Sequence, residues 1–110
     1  MKKKVYVGAR ISGSCCVSVS ECEESNHYTP TKEYSLDPRF DCVNHSPDGF
    51  EWGYGGSGPA QLAFAILADL YDEKFAKKRY QEFKIRVVQS LPKESFTLTD
   101  EDIKSVMEEN

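Results

Sequence analysis

The sequence has no apolar run long enough to cross a bilayer. Its most hydrophobic stretch, Ala60 to Leu70, covers about half of the ~20 residues that a spanning helix needs. It has no excess of positive charge: 14 Lys and Arg stand against 18 Asp and Glu, a net charge of −4. Phosphate neutralisation dominates non-specific nucleic-acid affinity, so this balance excludes a general nucleic-acid coat. Histidine is scarce, with only His27 and His45. General acid–base work is thereby left to carboxylates, and Asp37, Asp41, Asp48 and Glu51 show no spacing that marks a pair. The Lys-[ST] ending of a phosphate-binding P-loop is missing, as are the G-x-G-x-x-G spacing and βαβ context of a dinucleotide fold. Cys42-x-x-His45 is half of a metal-site spacing. Cys16, Cys22 and His27 could be imagined as its partners, but no second C-x-x-C or H-x-x-x-H pair exists, so neither metal nor cofactor is expected.

What is present is one domain's worth of chain. The 110 residues, 39% hydrophobic and 29% charged, suffice for a single modest core and are expected to form one domain, 1–110. The opening Met1-Lys2-Lys3-Lys4 is charged like a signal peptide, yet Arg10 arrives before any apolar core develops. A cytoplasmic location is therefore expected, with Cys15, Cys16, Cys22 and Cys42 as reduced thiols. The first half alternates in the manner of strands. Val5, Val7 and Ala9 interleave with Tyr6, Gly8 and Arg10, Ser12-Gly13-Ser14 turns, and Cys15 to Ser20 returns as a hairpin partner. Glu21 to Lys32 reads as an acidic surface loop, Glu33 to Leu36 as a third strand stopped by Asp37-Pro38, and Phe50 to Trp52 as a last short one. Ser46-Pro47-Asp48-Gly49 between them is turn chemistry.

The second half reads as helical. Gly58-Pro59 opens a helix whose Gln61 can reach back as a capping-box acceptor, and Leu62, Ile66 and Leu70 follow at helical spacing with almost no polar face. A second helix is expected from about Glu73 to Leu91, closed by Pro92, and a third after the cap Thr99, with Asp100, Glu101 and Asp102 in its first turn. The fold class that results is α+β: a small, mostly antiparallel sheet from the N-terminal half, packed against two to three C-terminal helices.

One segment is unlike an ordinary connector. Gly53, Gly55, Gly56 and Gly58 fall within six residues, directly before the most apolar helix. Such a loop can turn its backbone N–H groups toward one point while the helix N-terminus adds partial positive charge, a site for phosphate or carboxylate. Trp52 and Tyr54 flank it with flat rings on which a base could stack. The other reading is a tight strand-to-helix turn, with the glycines serving backbone geometry and the aromatics serving the core. On the first reading Gly55, Gly56, Ser57 and Gly58 hold the anion, and Ser57, Gln61, His45 and Arg39 supply polar contacts. Arg10 shares with Arg39 the rigid guanidinium suited to clamping a phosphate, although either can pair with an acid instead. Lys74, Lys77, Lys78, Arg79, Lys84 and Arg86 concentrate positive charge on the second helix, which reads either as anion steering or as a solvated face. A Cys42–His45 nucleophile pair is disfavoured, because a three-residue offset in extended chain points the side chains apart.

The run Ser46-Pro47-Asp48-Gly49-Phe50-Glu51-Trp52-Gly53-Tyr54-Gly55-Gly56-Ser57-Gly58-Pro59-Ala60-Gln61-Leu62-Ala63 resembles the core signature of a small uncharacterised family encoded by phages, plasmids and bacterial genomes. Phe83-Lys84, Leu91-Pro92 and Phe96-Thr97-Leu98-Thr99 match its closing pattern, and the resemblance runs from Tyr6 to about Ile103. It implies context rather than an activity, because the family's function is unknown. Small phage proteins of this size include binders that enclose nucleotide second messengers of bacterial immunity. The expectation is a non-enzymatic binder of a phosphate-bearing nucleotide, cyclic or ADP-ribose-type, working as an oligomeric sponge. The alternatives are an inhibitor of a host defence factor, acting through a surface such as Glu21 to Glu24, and a small nucleotide hydrolase or lyase using His27 or His45.

Overall fold

The computed structural model describes residues 2–23, 31–44 and 49–108. Four strands, β1 (Lys2–Ile11), β2 (Ser14–Glu23), β3 (Lys32–Ser35) and β4 (Ser95–Thr99), form one antiparallel sheet in the order β3-β2-β1-β4. Three helices, α1 (Ser57–Leu70), α2 (Glu73–Arg86) and α3 (Asp100–Met107), complete the α+β fold. The β1–β2 hairpin turns through Ser12 and Gly13, both at positive φ (51° and 83°), the two-residue geometry whose twist matches that of the flanking strands. Ladder pairing of Tyr6 with Val19 and Leu98, and of Gly8 with Val17 and Phe96, sets these side chains on one face of the sheet, where they enter the core. Gly8 has to be glycine, since a Cβ there would lie 2.1 Å from the Phe96 ring.

α1 is the centre of the core. Gly58 through Ala68 are all buried, and full burial of each Leu, Ile or Phe contributes about 1.5–3 kcal/mol. α2 is a surface helix that buries only Ala76 and Phe83. α3 starts on a complete capping box: Thr99 accepts from the Asp102 N–H while the Asp102 carboxylate accepts from the Thr99 N–H. Its far end is bound by α2, where Arg79 and Arg86 donate to the carbonyls of Met107 and Val106.

Five segments differ from the sequence expectation. β4 lies where only a turn and a cap were expected, so the sheet draws its last strand from the helical half. Phe50 to Trp52 forms no strand, because the segment has no ladder partner and is held by side chains instead. α2 ends at Arg86 rather than Leu91: the Val87 N–H closes on Phe83 O, and the β-branched pair Val87-Val88 passes into a short 3₁₀ turn, Val88–Ser90. β2 extends to Glu23 and β3 begins at Lys32, which shortens the expected loop from both sides.

Candidate functional site

The glycine segment is anchored from β1. Arg10, at the outer end of that strand's core face, holds the Glu51 carboxylate with both terminal nitrogens, at 2.8 and 3.0 Å, and donates from Nε to Lys93 O at 2.6 Å. Trp52 Nε1 reaches the same carbonyl at 3.1 Å, so β1, the glycine segment and the turn before β4 meet at one oxygen. The Arg10 guanidinium lies 5.0 Å from the Trp52 ring centroid, and Phe96 meets that ring edge-on at 4.9 Å. Trp52 is completely buried. It is therefore a core residue whose ring has no open face for a base, in contrast to the stacking surface expected of it.

Two of the glycines answer to geometry. Gly53 sits at φ 86°, and a Cβ there would lie 2.8 Å from Lys93 Cγ and 3.1 Å from Leu91 O. At Gly58 a Cβ would approach Glu51 Cβ to 2.5 Å. Gly55, Tyr54 and Ser57, by contrast, are exposed, and Tyr54 retains 47% of its surface with its ring beside Gly56. The N-terminus of α1 lies here. Gly56 is its N-cap and no side chain caps it. Pro59 is the third residue of the helix rather than the first and has no N–H, whereas Ala60 N–H already closes on Gly56 O at 3.1 Å. Gln61, expected to reach back to this end, has its amide nitrogen engaged elsewhere. Gln61 is buried and donates to Pro38 O at 2.6 Å and Val43 O at 3.0 Å, so it fastens residues 38–43 against α1.

The remaining candidates lie elsewhere. Arg39, at φ 59°, is turned by its N–H bond to Asp37, and its side chain faces Glu73 at 3.6 Å, Asp41 at 4.0 Å and Cys42 Sγ at 3.4 Å. It serves the start of α2, and the guanidinium that meets the glycine segment is that of Arg10. Arg10 is neutralised by Glu51, whose carboxyl it holds below the ordinary range. His27, His45 and Glu24 lie outside the described residues. Glu21 turns toward Lys4 at 3.6 Å instead of outward. On α2, Lys77 pairs with Glu73, and Arg79 and Arg86 with Glu82, so its basic face is interlaced with acids. Burial pushes the Cys15 and Cys42 thiols up, which keeps both in the less nucleophilic form. Among the described residues no group of three or more His, Cys, Asp or Glu could hold a metal, and no helix is long and apolar enough to cross a membrane.

The sequence reading missed a cluster at the other end of α1. Asp69 accepts from Tyr6 Oη at 2.5 Å, Tyr34 Oη at 2.6 Å and Lys4 Nζ at 3.0 Å, and Lys4 also donates to the Asp69 carbonyl at 3.2 Å. Burial and then the Asp69 carboxylate push the Tyr34 hydroxyl up to about 12, and Tyr6 moves in the same direction. Burial works to lower Lys4, but Asp69 outweighs it and the net shift is upward. The available signal was Asp69 itself, the one charged residue between Ala60 and Leu70, together with Lys4 and Tyr6 two apart on one face of a strand.

A family model described as a family of unknown function, DUF6166, matches residues 6–109, and the chain belongs to that family. No curated protein and no solved structure matches it.

Proposed function

For this member of the family we propose a binder of a small phosphate-bearing, nucleotide-type molecule, seated at the open end of α1 and held without turnover. The observation that carries the reading is that the most deeply buried helix of the fold ends in an N-terminus without a side-chain cap, exposed at Gly55 and Ser57 beside an exposed tyrosine ring. Backbone N–H groups and the helix dipole favour an anion at such a terminus. Glu51, which packs on Gly58, already carries Arg10 as its counter-charge and so opposes an incoming phosphate little. Within the sequence-derived set, the contacts reduce to Gly55, Gly56 and Ser57 for the phosphate and Tyr54 for the base. Trp52, Gly58 and Gln61 act as framework behind them. In a phage or plasmid setting the use of such a binder would be to sequester a nucleotide second messenger of its host.

The test is a melting-temperature panel of linear, cyclic and ADP-ribose-type nucleotides, followed by denaturation and weighing of the released ligand. A ligand at 100-fold above its Kd adds about 2.7 kcal/mol, which in a domain of this size moves Tm by about 10 °C or more. A shift with an intact ligand supports the binder, and an altered mass means a hydrolase or lyase. Silence across the panel overturns the reading.

A further inference from the structure

The helices cover one face of the sheet. The register places Val5, Val7, Ala9 and Ile11 of β1 on the other face, flanked by Ser18 and Cys16 of β2 and by Thr97 of β4. Val7 and Ile11 retain 36% and 59% of their surface, and Cys16, Ser18 and Thr97 are exposed. An antiparallel sheet with one wet face normally alternates apolar inside and polar outside, whereas strands covered on both faces are apolar throughout. β1 follows the second pattern: Val5-Tyr6-Val7-Gly8-Ala9 is apolar on both sides. Among the described residues the face is also nearly uncharged in a chain that is 29% charged, with Lys3 and Glu33 at its margins, one paired with Glu101 and the other bonded by Ser20.

From this we infer that the outer sheet face is the interface between two copies of this chain. Charge selects the occupant. Copies of net charge −4 repel one another except where the meeting surfaces are neutral, and this face is neutral. A basic protein or an anionic partner would instead require charges that the face does not carry. Area permits the pairing. Cys22 at one end of this face is buried, so the open part runs from Val5 to Ile11 of β1 and from Ser14 to Ser20 of β2, with β3 and β4 beside them; at about 3.4 Å per residue and about 4.8 Å between strands it presents about 400 Å². A face-to-face pair then removes on the order of 800 Å², the size of a weak, concentration-dependent contact. Shape permits it as well. A cavity of about 410 Å³, lined by Val7, Ala9, Ile11, Cys16, Ser35 and Phe50 among others, lies beside the projecting Ile11. Each copy therefore carries both a knob and a hollow, which is what a twofold contact needs. The small side chains of the face (Ala, Ser, Cys, Thr) allow two sheets to approach at about 10 Å.

The experiment is mass measurement by light scattering and sedimentation on the whole chain, from about 1 to about 100 µM, the range that brackets a specific but modest affinity. The expected result is a particle of twice 12.5 kDa at the upper end, with a Tm that rises with concentration. Val7→Lys and, separately, Ile11→Lys should give the single-chain mass and a concentration-independent Tm. Ile85→Lys, at an equally exposed apolar site on α2, should leave the dimer intact. Far-UV circular dichroism verifies folding, and Ile11→Lys carries the test should Val7→Lys not fold. A wild-type chain of single-chain mass at every concentration overturns the inference, whatever else binds the face. So does a dimer that survives both strand substitutions or is broken by Ile85→Lys. The glycine segment packs among the residues of the turn before β4 rather than on this face, so failure here leaves the nucleotide reading standing, and the reverse holds.

Discussion

The two ends of α1 solve the same problem in opposite ways. At its C-terminus the carboxylate of Asp69 sits where the helix dipole disfavours negative charge. Lys4 answers both the side chain and the backbone carbonyl, while Tyr6 and Tyr34 occupy the two carboxylate oxygens. At its N-terminus there is no side-chain cap, and the chain arrives through glycines that leave the backbone within reach of solvent. One end is saturated by protein groups drawn from strands far away in sequence; the other has no side-chain cap and is open to solvent at Gly55 and Ser57. A helix locked at one end can present its other end in a fixed position without a rigid loop to hold it.

The comparison breaks most visibly at Asp69. Asp69→Ala takes the charged acceptor from two tyrosine hydroxyls, one of them buried, and leaves Lys4 with Glu21 as its carboxylate; it should cost about 3–5 kcal/mol, read as a large fall in the urea midpoint at unchanged slope. A loss below about 1 kcal/mol would mean that the closed end is not closed. Next in size is Gly58→Ala. Its methyl group would meet Glu51, which Arg10 holds in place, and the overpacking should cost about 1–3 kcal/mol despite better helix propensity.

A smaller effect should appear in alkali. The folded pKa of Tyr34, about 12, lies above its ordinary value of 10.0. Its contribution is therefore complete below pH 10 and is lost as pH rises through 12. Lys4 is shifted upward too and adds in the same direction. Tyr34→Phe should cost about 1 kcal/mol at neutral pH and flatten the decline in a pH-resolved denaturation series; an unchanged slope would remove Tyr34 from the lock. The smallest changes sharpen the open end. Ser57→Asp places a carboxylate at the first helical position and should stabilise the fold by about 0.3–1 kcal/mol while abolishing the nucleotide-induced shift. Tyr54→Ala should move stability by no more than about 0.5 kcal/mol yet weaken that shift for nucleotides and leave it intact for inorganic pyrophosphate.

Local chemistry made part of this legible. The apolar run after Gly58, the Ser12-Gly13 turn and the Thr99 cap each carry their signal within a few residues, and each forms as the sequence implies. β4 was hidden although Ser95-Phe96-Thr97-Leu98-Thr99 alternates cleanly, because the helix cap at its end dominates so short a run. Trp52 and Tyr54 look alike in sequence, yet one is sealed in the core by Arg10 and Phe96 and the other stays in solvent. No pattern in the chain distinguishes them, because what separates them is supplied by residues some 40 positions away. The same holds for Asp69, whose partners come from β1 and β3.

The position of β1 has a consequence for the making of the protein. As the chain emerges during synthesis, its first strand finds a hairpin partner within a few residues but waits for its other neighbour until Ser95 to Thr99 have been made. Until then a long, apolar strand edge stands open beside an already hydrophobic α1, the kind of surface on which nascent chains aggregate or are met by chaperones. The sheet is completed only after α1 and α2 have been made, so a chain cut just before Ser95 should contain two of the three helices and still fail to close its fold.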